Sequence, residues 1–197
     1  MKKTPAIFID RDGTINQEVG YIGQVKDLRL IPGSAEAIRL VNQSGRKVVV
    51  ISNQSGVARG YFDEQVVDTI NDALIKMLEE EQARVDGIYY CPHHLKGYPP
   101  YNIDCSCRKP ASGMLLQAAE DLNLDLTQSA VIGDKYTDVL TGHRLGIPSL
   151  LVRTGFGEGE IEKHSATWNK APDFIAADLL EAVRWVLSES KLKKTNS

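Results

Sequence analysis

Ile7-Phe8-Ile9-Asp10-Arg11-Asp12-Gly13-Thr14 is an apolar run that stops abruptly in two carboxylates one residue apart. Side chains at i and i+2 of an extended segment point the same way, so Asp10 and Asp12 are expected to converge on one small volume at the carboxyl end of a strand. Open α/β sheets bind their ligands at that end. Two carboxylates so close repel unless a cation or a proton shares the site, which points to a hard divalent metal or to acid/base chemistry. The plain alternative is a strand running into an Asp-Gly turn. An EF-hand loop does not fit, because Ile15 stands at the sixth position from Asp10, where that loop needs Gly.

Outward from this strand the chain alternates between helical and extended patterns. Residues 15–30 mix Gly, Tyr, Gln and Asp without a period and read as a loop or flap beside Asp10. Ala35, Ala37, Ile38 and Val41 recur at helical spacing, with Ser34 as the expected N-cap and Gly45 as the stop. Val48-Val49-Val50-Ile51 has the composition of a strand buried on both faces, and it ends at Ser52-Asn53-Gln54-Ser55-Gly56. A helix is expected over 63–81, a strand over 87–90, a helix over 112–122, a strand over 130–132, a helix after Tyr136 and a strand over 149–152. The polar stretch from Thr154 to Pro172 reads as loop, and 179–187 as a last helix. This alternation predicts an α/β fold, a doubly wound and mainly parallel sheet flanked by helices. The spacing leaves no room for a separate cap domain.

The 197 residues are 42% hydrophobic and 25% charged with a net charge of -3, as suits a single domain, taken as 1–190, followed by a disordered tail over 191–197. Mild acidity offers no footprint for nucleic acid. No stretch approaches the roughly 18 apolar residues of a membrane span. The N-terminus fits neither a signal peptide nor an anchor, so a cytoplasmic protein is expected, and a monomer because no apolar stripe is left over. Its three cysteines would then stay reduced and are better read as ligands than as disulfides.

Those cysteines fall in a segment, 91–110, that is too long for an idle loop in a compact domain. Cys91-Pro92-His93-His94 and Cys105-Ser106-Cys107 supply donors for tetrahedral structural zinc, assigned to Cys91, His93, Cys105 and Cys107. His94 is the competing imidazole, and buried or idle cysteines are the plain alternative. Arg108 and Lys109 follow directly, so a metal here would position a phosphate-binding pair without doing chemistry. His143 and His164 receive no role.

In a parallel sheet the strand ends bring Asp10, Asp12, Ser52, Arg108, Lys109, Asp134, Lys135 and Asp138 to one edge. Asp10-x-Asp12-Gly13-Thr14, then Ser52, then Lys109, then Gly133-Asp134 with Asp138 resemble, in that order, the four motifs of haloacid dehalogenase (HAD) superfamily phosphatases, over residues 5–153. The resemblance implies a Rossmannoid fold with Asp10 as the nucleophile that becomes an aspartyl-phosphate and Asp12 as general acid and base. It implies Mg²⁺ held by the Asp10 carboxylate, the Asp12 carbonyl and Asp134, with Ser52 and Lys109 on the phosphoryl oxygens.

The zinc loop narrows the resemblance. Asp10-Arg11-Asp12-Gly13-Thr14-Ile15-Asn16, Gly20-Tyr21, the stretch from Ser52 through Gly60, Tyr89-Tyr90-Cys91-Pro92-His93-His94 and Cys107-Arg108-Lys109-Pro110 are similar to small capless phosphatases. These include the D-glycero-D-manno-heptose 1,7-bisphosphate 7-phosphatases of lipopolysaccharide or S-layer sugar synthesis and the histidinol-phosphate phosphatases. Ser52 departs from the Thr that many of them carry, and Glu18-Val19 ahead of Gly20-Tyr21 departs as well. The resemblance implies a sugar bisphosphate substrate touched by Glu18, Val19, Gly20, Tyr21, Ser52, Asn53, Gln54, Ser55, Arg108, Lys109 and Lys135. Arg108 offers a planar fork for a second phosphate. The other readings are histidinol-phosphate phosphatase, a nucleic-acid 3′-phosphatase, and a non-catalytic phospho-acceptor or zinc interaction module.

Overall fold

The computed structural model describes residues 3–195. Six parallel strands form one sheet: β1 (Thr4–Ile9), β2 (Lys47–Asn53), β3 (Gly87–Cys91), β4 (Leu124–Gly133), β5 (Ser149–Val152) and β6 (Phe174–Ala176), in the order β3-β2-β1-β4-β5-β6. The chain winds outward from β1 to β3, then crosses back to lay β4 on the other side of β1. That reversal opens a crevice beside the carboxyl end of β1, the usual ligand position in doubly wound sheets. Asp10 stands there.

The continuous apolar character of β1 follows from burial on both faces. Ile7 and Ile9 pack into one core with α1 (Ser34–Gln43), with α3 (Glu64–Glu80) and with the last helix, α7 (Leu179–Thr195). Ala6 and Phe8 pack on the opposite face against Met114, Leu115 and Ala118 of α4 (Gly113–Asp121). All four strand residues are fully buried, and each of the larger side chains contributes about 1.5–3 kcal/mol by leaving water. α5 (Tyr136–His143) lies close on β4 and β5, since a Cβ on Gly142 would stand 2.1 Å from Ser149 Oγ and 2.7 Å from Val131 Cγ2.

Several local expectations need correction. Ser34 is the first residue of α1 and donates its hydroxyl to Ile31 O, while Gly33, at φ 86, takes the N-cap position where a side chain would be strained. A short helix, α2 (Ser55–Ala58), for which the sequence predicts no element, follows β2. β4 begins at Leu124, because Leu124 and Asp125 pair with Thr4 and Pro5 before the register shifts and Ala130 resumes against Ile7. The stretch from Thr154 to Pro172 holds α6 (Gly157–His164), and the edge strand β6, for which the sequence predicts no element, follows just beyond it. Two early glycines and few apolar residues hid α6, although Glu158 and Glu160 in its first turn and Lys163 and His164 in its last suit the helix dipole. α7 runs on to Thr195 through most of the segment expected as a tail, in keeping with a run free of Gly and Pro. Residues 196 and 197 lie outside the described residues.

Residues 10–33 form a flap with one short 3-10 turn, Val25–Asp27, and no separate cap domain stands among the described residues. No described helix is long and apolar enough to cross a membrane.

Candidate active site

Asp10 is the first residue beyond β1, with its N–H still bonded to Ile132 O of β4. Its carboxylate is buried and accepts from Lys109 Nζ at 2.6 Å. The same ammonium reaches Asp138 Oδ1 at 2.6 Å and donates to Ile51 O at 2.9 Å. Burial works against the Lys109 charge, but Asp10 and Asp138 outweigh it and raise its pKa above the usual lysine value. Asp10 itself is pushed up to about 6, first by burial, with Lys109 opposing and Asp138 adding to the shift.

Asp134, at the end of β4, is fully buried, and its Oδ2 accepts the Phe156 N–H at 2.8 Å. Its Oδ1 is buried without a hydrogen-bond partner. Burial, then the charges of Asp10 and Asp138, push this carboxyl up to about 9. Oxygens of Asp10, Asp134 and Asp138 lie within 4.8 Å of one another. Three buried carboxylates and one lysine leave excess negative charge beside an orphaned oxygen, and a hard divalent cation would relieve both. Since Asp138 is committed to Lys109, Asp10 and Asp134 are the side chains that fit the metal. Gly13 and Gly155, at φ 85 and 59, close around Asp134, because a Cβ on either would come within 2.1 or 2.2 Å of Asp134 Oδ2. Thr154 Oγ1 ties the two loops by donating to Gly13 O at 2.6 Å.

Asp12 enters the cleft by another route than strand alternation, because β1 ends at Ile9 and Gly13 turns the backbone. Its carboxylate takes Arg11 Nη2 at 2.8 Å and Nε at 3.2 Å, Asn16 Nδ2 at 2.9 Å and Gln54 Nε2 at 2.8 Å. Burial favours the neutral acid, yet Arg11 and these hydrogen bonds prevail and hold Asp12 below the usual carboxylate range. Arg11 is itself only 1% exposed and donates to Asn71 Oδ1 of α3 at 2.9 Å. Gln54 also donates to Ser52 Oγ at 2.7 Å, linking two of the expected catalytic side chains.

The cleft measures about 210 Å³. Asp10, Asp12 and Ser52 line it, as do Glu18, Gly20, Tyr21, Asn53, Gln54, Ser55, Lys109 and Lys135. Val19 is exposed outside this lining, and Arg108, also outside it, donates Nη1 to His93 O at 3.0 Å. Tyr21 meets Tyr61 edge to face with ring centres 4.7 Å apart. Thr137, Asp138 and Phe156 complete the wall. Asp138 belongs to the fourth motif, but its bond to Lys109 is legible only once β4 and the 91–110 segment are seen together. Phe156 was hidden in a stretch read as loop, and Arg11 and Asn71 carried no signal beyond their polarity.

The second cluster brings Cys91, His93, Cys105 and Cys107 together. Cys91 Sγ lies 3.6 Å from Cys105 Sγ and 3.1 Å from Cys107 Sγ, Cys105 and Cys107 are 3.2 Å apart, and His93 Nδ1 stands 3.3 Å from Cys107 Sγ. Three thiols and one imidazole so placed fit one tetrahedral thiophilic metal. His94 turns away, its Nδ1 accepting from Lys96 N at 3.0 Å and its Nε2 3.3 Å from Arg59 Nη2.

A protein-family model described as HAD-hydrolase-like matches residues 106–182. The D-glycero-beta-D-manno-heptose-1,7-bisphosphate 7-phosphatase of Haemophilus influenzae is 45% identical over 159 residues, 79% of this chain and 86% of that protein. The D-glycero-D-manno-heptose-1,7-bisphosphate 7-phosphatase of Thermosynechococcus vestitus is 42% identical over 187 residues, 92% of this chain and 95% of that protein. Among solved structures, the D,D-heptose 1,7-bisphosphate phosphatase from B. bronchiseptica, complexed with magnesium and phosphate, matches with a TM-score of 0.81 at 31% identity over 94% of this chain and 99% of that one.

Proposed function

The chain belongs to the D-glycero-D-manno-heptose-1,7-bisphosphate 7-phosphatase family of HAD-like hydrolases, and from that premise we propose how its own residues remove the 7-phosphate of the heptose bisphosphate. The observation that carries the assignment of roles is the buried Asp10 carboxylate 2.6 Å from Lys109 and within 4.8 Å of Asp134. Asp10 attacks phosphorus, the bond to the sugar oxygen breaks, and the phosphoryl group passes to the Asp10 carboxylate. Dividing one displacement into two lowers each barrier. Asp12 must enter the step protonated, against Arg11 and the hydrogen bonds that favour its ionised form in the resting site. It gives that proton to the departing sugar oxygen, then takes one back from the water that cleaves the aspartyl-phosphate and regenerates Asp10.

Lys109 and Ser52 hold the phosphoryl oxygens as the group moves, with Asp138 keeping Lys109 charged and Gln54 aligning Ser52 beside Asp12. Mg²⁺, held by Asp10, Asp134 and the Asp12 carbonyl, would offset the charge that keeps an anionic nucleophile from an anionic substrate. A zinc ion on Cys91, His93, Cys105 and Cys107 would fix the segment that carries Lys109. Three free cysteines, all in that cluster, support a cytoplasmic setting, and we read the protein as a monomer supplying an intermediate of nucleotide-activated heptose for lipopolysaccharide core or S-layer glycan.

The test is phosphate release from α- and β-heptose 1,7-bisphosphate, fructose 1,6-bisphosphate and histidinol phosphate, with Mg²⁺ and with chelator. A heptose bisphosphate should be preferred, its anomer naming the pathway, and the chelator should abolish release. Preference for histidinol phosphate would overturn the substrate while leaving the chemistry in place.

A further inference from the structure

Phe156 stands between β5 and α6, in the stretch from Thr154 that reads as loop in the sequence, and contributes to the site twice. Its N–H holds Asp134, at 2.8 Å. Its ring, 46% exposed, faces the cleft and lies under the Lys135 ammonium, which sits 4.2 Å from the ring centroid. Lys135 is the first residue beyond the metal carboxylate Asp134, and its position depends on few contacts. Its backbone N–H is held by Asp138 Oδ2 at 3.0 Å, and its ammonium has the Phe156 face on one side and Glu18 Oε2 at 3.7 Å on the other. Glu18 is fixed in turn, since its Oε1 accepts the Gly20 N–H at 2.6 Å. A lysine stem is flexible and its ammonium is a mobile point charge, so among the carboxylates that attract it, Asp134, Asp10 and Glu18, the Phe156 face helps to decide where that charge rests.

We infer that Phe156 is a positioning and specificity residue: its ring aims Lys135 across the cleft at the anionic group of the substrate that does not react, and so favours bisphosphates over monophosphates. The inference rests on the sugar-bisphosphate reading above and deepens it. A reacting phosphoryl group already has Lys109, Ser52 and the metal carboxylates around Asp10. Lys135 is a further cation in the same cleft, drawn by the charges of Asp134 and Asp10 as well as Glu18, and hydrogen-bonded to none of them. The substrate's second anion would displace Glu18 from it, while the ring, which has no charge to lose, stays in place. Glu18 thus holds the cation in the resting site and the ring holds it in the loaded one.

The experiment compares Phe156→Leu and Phe156→Trp with the unaltered protein, each also in a Lys135→Met background. It measures kcat and KM for the preferred bisphosphate and for p-nitrophenyl phosphate at saturating Mg²⁺. Phe156→Leu keeps an apolar wall but removes the quadrupole. It should raise KM for the bisphosphate several-fold with little change in kcat, lowering the ratio of bisphosphate to monophosphate kcat/KM by roughly five- to tenfold. Phe156→Trp should restore that ratio, and in the Lys135→Met background Phe156→Leu should change it no further. An unchanged ratio in Phe156→Leu, or an equal loss with and without Lys135, would overturn the inference. A preference for fructose 1,6-bisphosphate over the heptose compound would defeat the substrate reading while leaving Phe156 testable on that bisphosphate. No preference for any bisphosphate in the unaltered protein would defeat both.

Discussion

Asn53 and Lys109 exchange two hydrogen bonds: Asn53 Nδ2 donates to Lys109 O at 3.1 Å, and Lys109 N donates to Asn53 Oδ1 at 3.0 Å. The amide at the end of β2 is therefore a splint for the backbone that presents Lys109, the lysine proposed to hold the phosphoryl group. Both of its polar ends are spent on that task, which gives Asn53 a role in geometry ahead of any contact with sugar. Asn53→Ala should cost about 1–3 kcal/mol in chemical denaturation, because the freed amide and carbonyl lose their partners. It should also lower kcat for bisphosphate and p-nitrophenyl phosphate alike. A loss confined to the bisphosphate would show that Asn53 acts on substrate instead.

Asp10→Asn should abolish turnover of every phosphate ester while leaving the far-UV circular dichroism unchanged. Asp12→Asn removes the acid and base but leaves the nucleophile, and should reduce kcat by about 10²- to 10⁴-fold. Steady-state phosphate release measures both, and comparable rates in the two variants would contradict the separate roles.

Asp134, proposed above to hold Mg²⁺, can be disturbed without replacing it. Gly155→Ala would set a Cβ 2.2 Å from Asp134 Oδ2 on a backbone at φ 59 that L side chains rarely adopt. The Mg²⁺ concentration for half-maximal activity should rise by roughly tenfold or more as Asp134 is forced aside. A Mg²⁺ titration of initial rates decides the matter.

Cys105→Ser removes one donor from the four-membered cluster. Zinc content by inductively coupled plasma mass spectrometry should fall from about one ion per chain to near zero, and kcat should fall with it. Since Lys109 lies two residues beyond Cys107, full activity in a metal-free variant would show that the loop holds its shape unaided.

Asp173 joins β5 to α5, since its Oδ2 accepts Ser149 N at 2.8 Å and lies 2.9 Å from His143 Nε2. Burial pushes its carboxyl up, but the Ser149 N–H, His143 and Lys170 outweigh burial and hold it below its ordinary value. A depressed carboxyl stabilises the fold above the unfolded value near 3.9, and that stability drains away as pH falls through the lower folded value. Urea midpoints measured from pH 7 to pH 3 should therefore drop more steeply in the unaltered protein than in Asp173→Asn. The difference at pH 7 should be about 1 kcal/mol, reduced by the partial exposure of the group.

What could be read from the sequence depended on how local each cause was. The strands β1 and β2 were legible because burial on both faces demands unbroken apolar runs, and the cysteine cluster because its donors come in short, unusual pairs. α6 and β6 were not, since a three-residue edge strand and a helix with two early glycines carry neither period strongly. At the site, Asp10, Lys109 and Asp134 were each visible at a strand or segment end. Asp138 as the second carboxylate paired with Lys109 and Phe156 under Lys135 arise from contacts between distant stretches that no spacing encodes, and Arg11, although it adjoins Asp12, is held in place by Asn71, sixty residues on.

The sheet order also divides the machinery between two stretches of chain. Asp10, Asp12, Ser52 and Lys109 all precede α4, whereas Asp134, Asp138 and Phe156 all follow it, and the two sets meet across the seam between β1 and β4. A chain severed in the turn between α4 and β4 would leave one fragment with Asp10, the proposed nucleophile, and the other with Asp134, the proposed second metal carboxylate. Phosphate release would then report the reunion of the two fragments, so the fold is by construction a template for a complementation sensor.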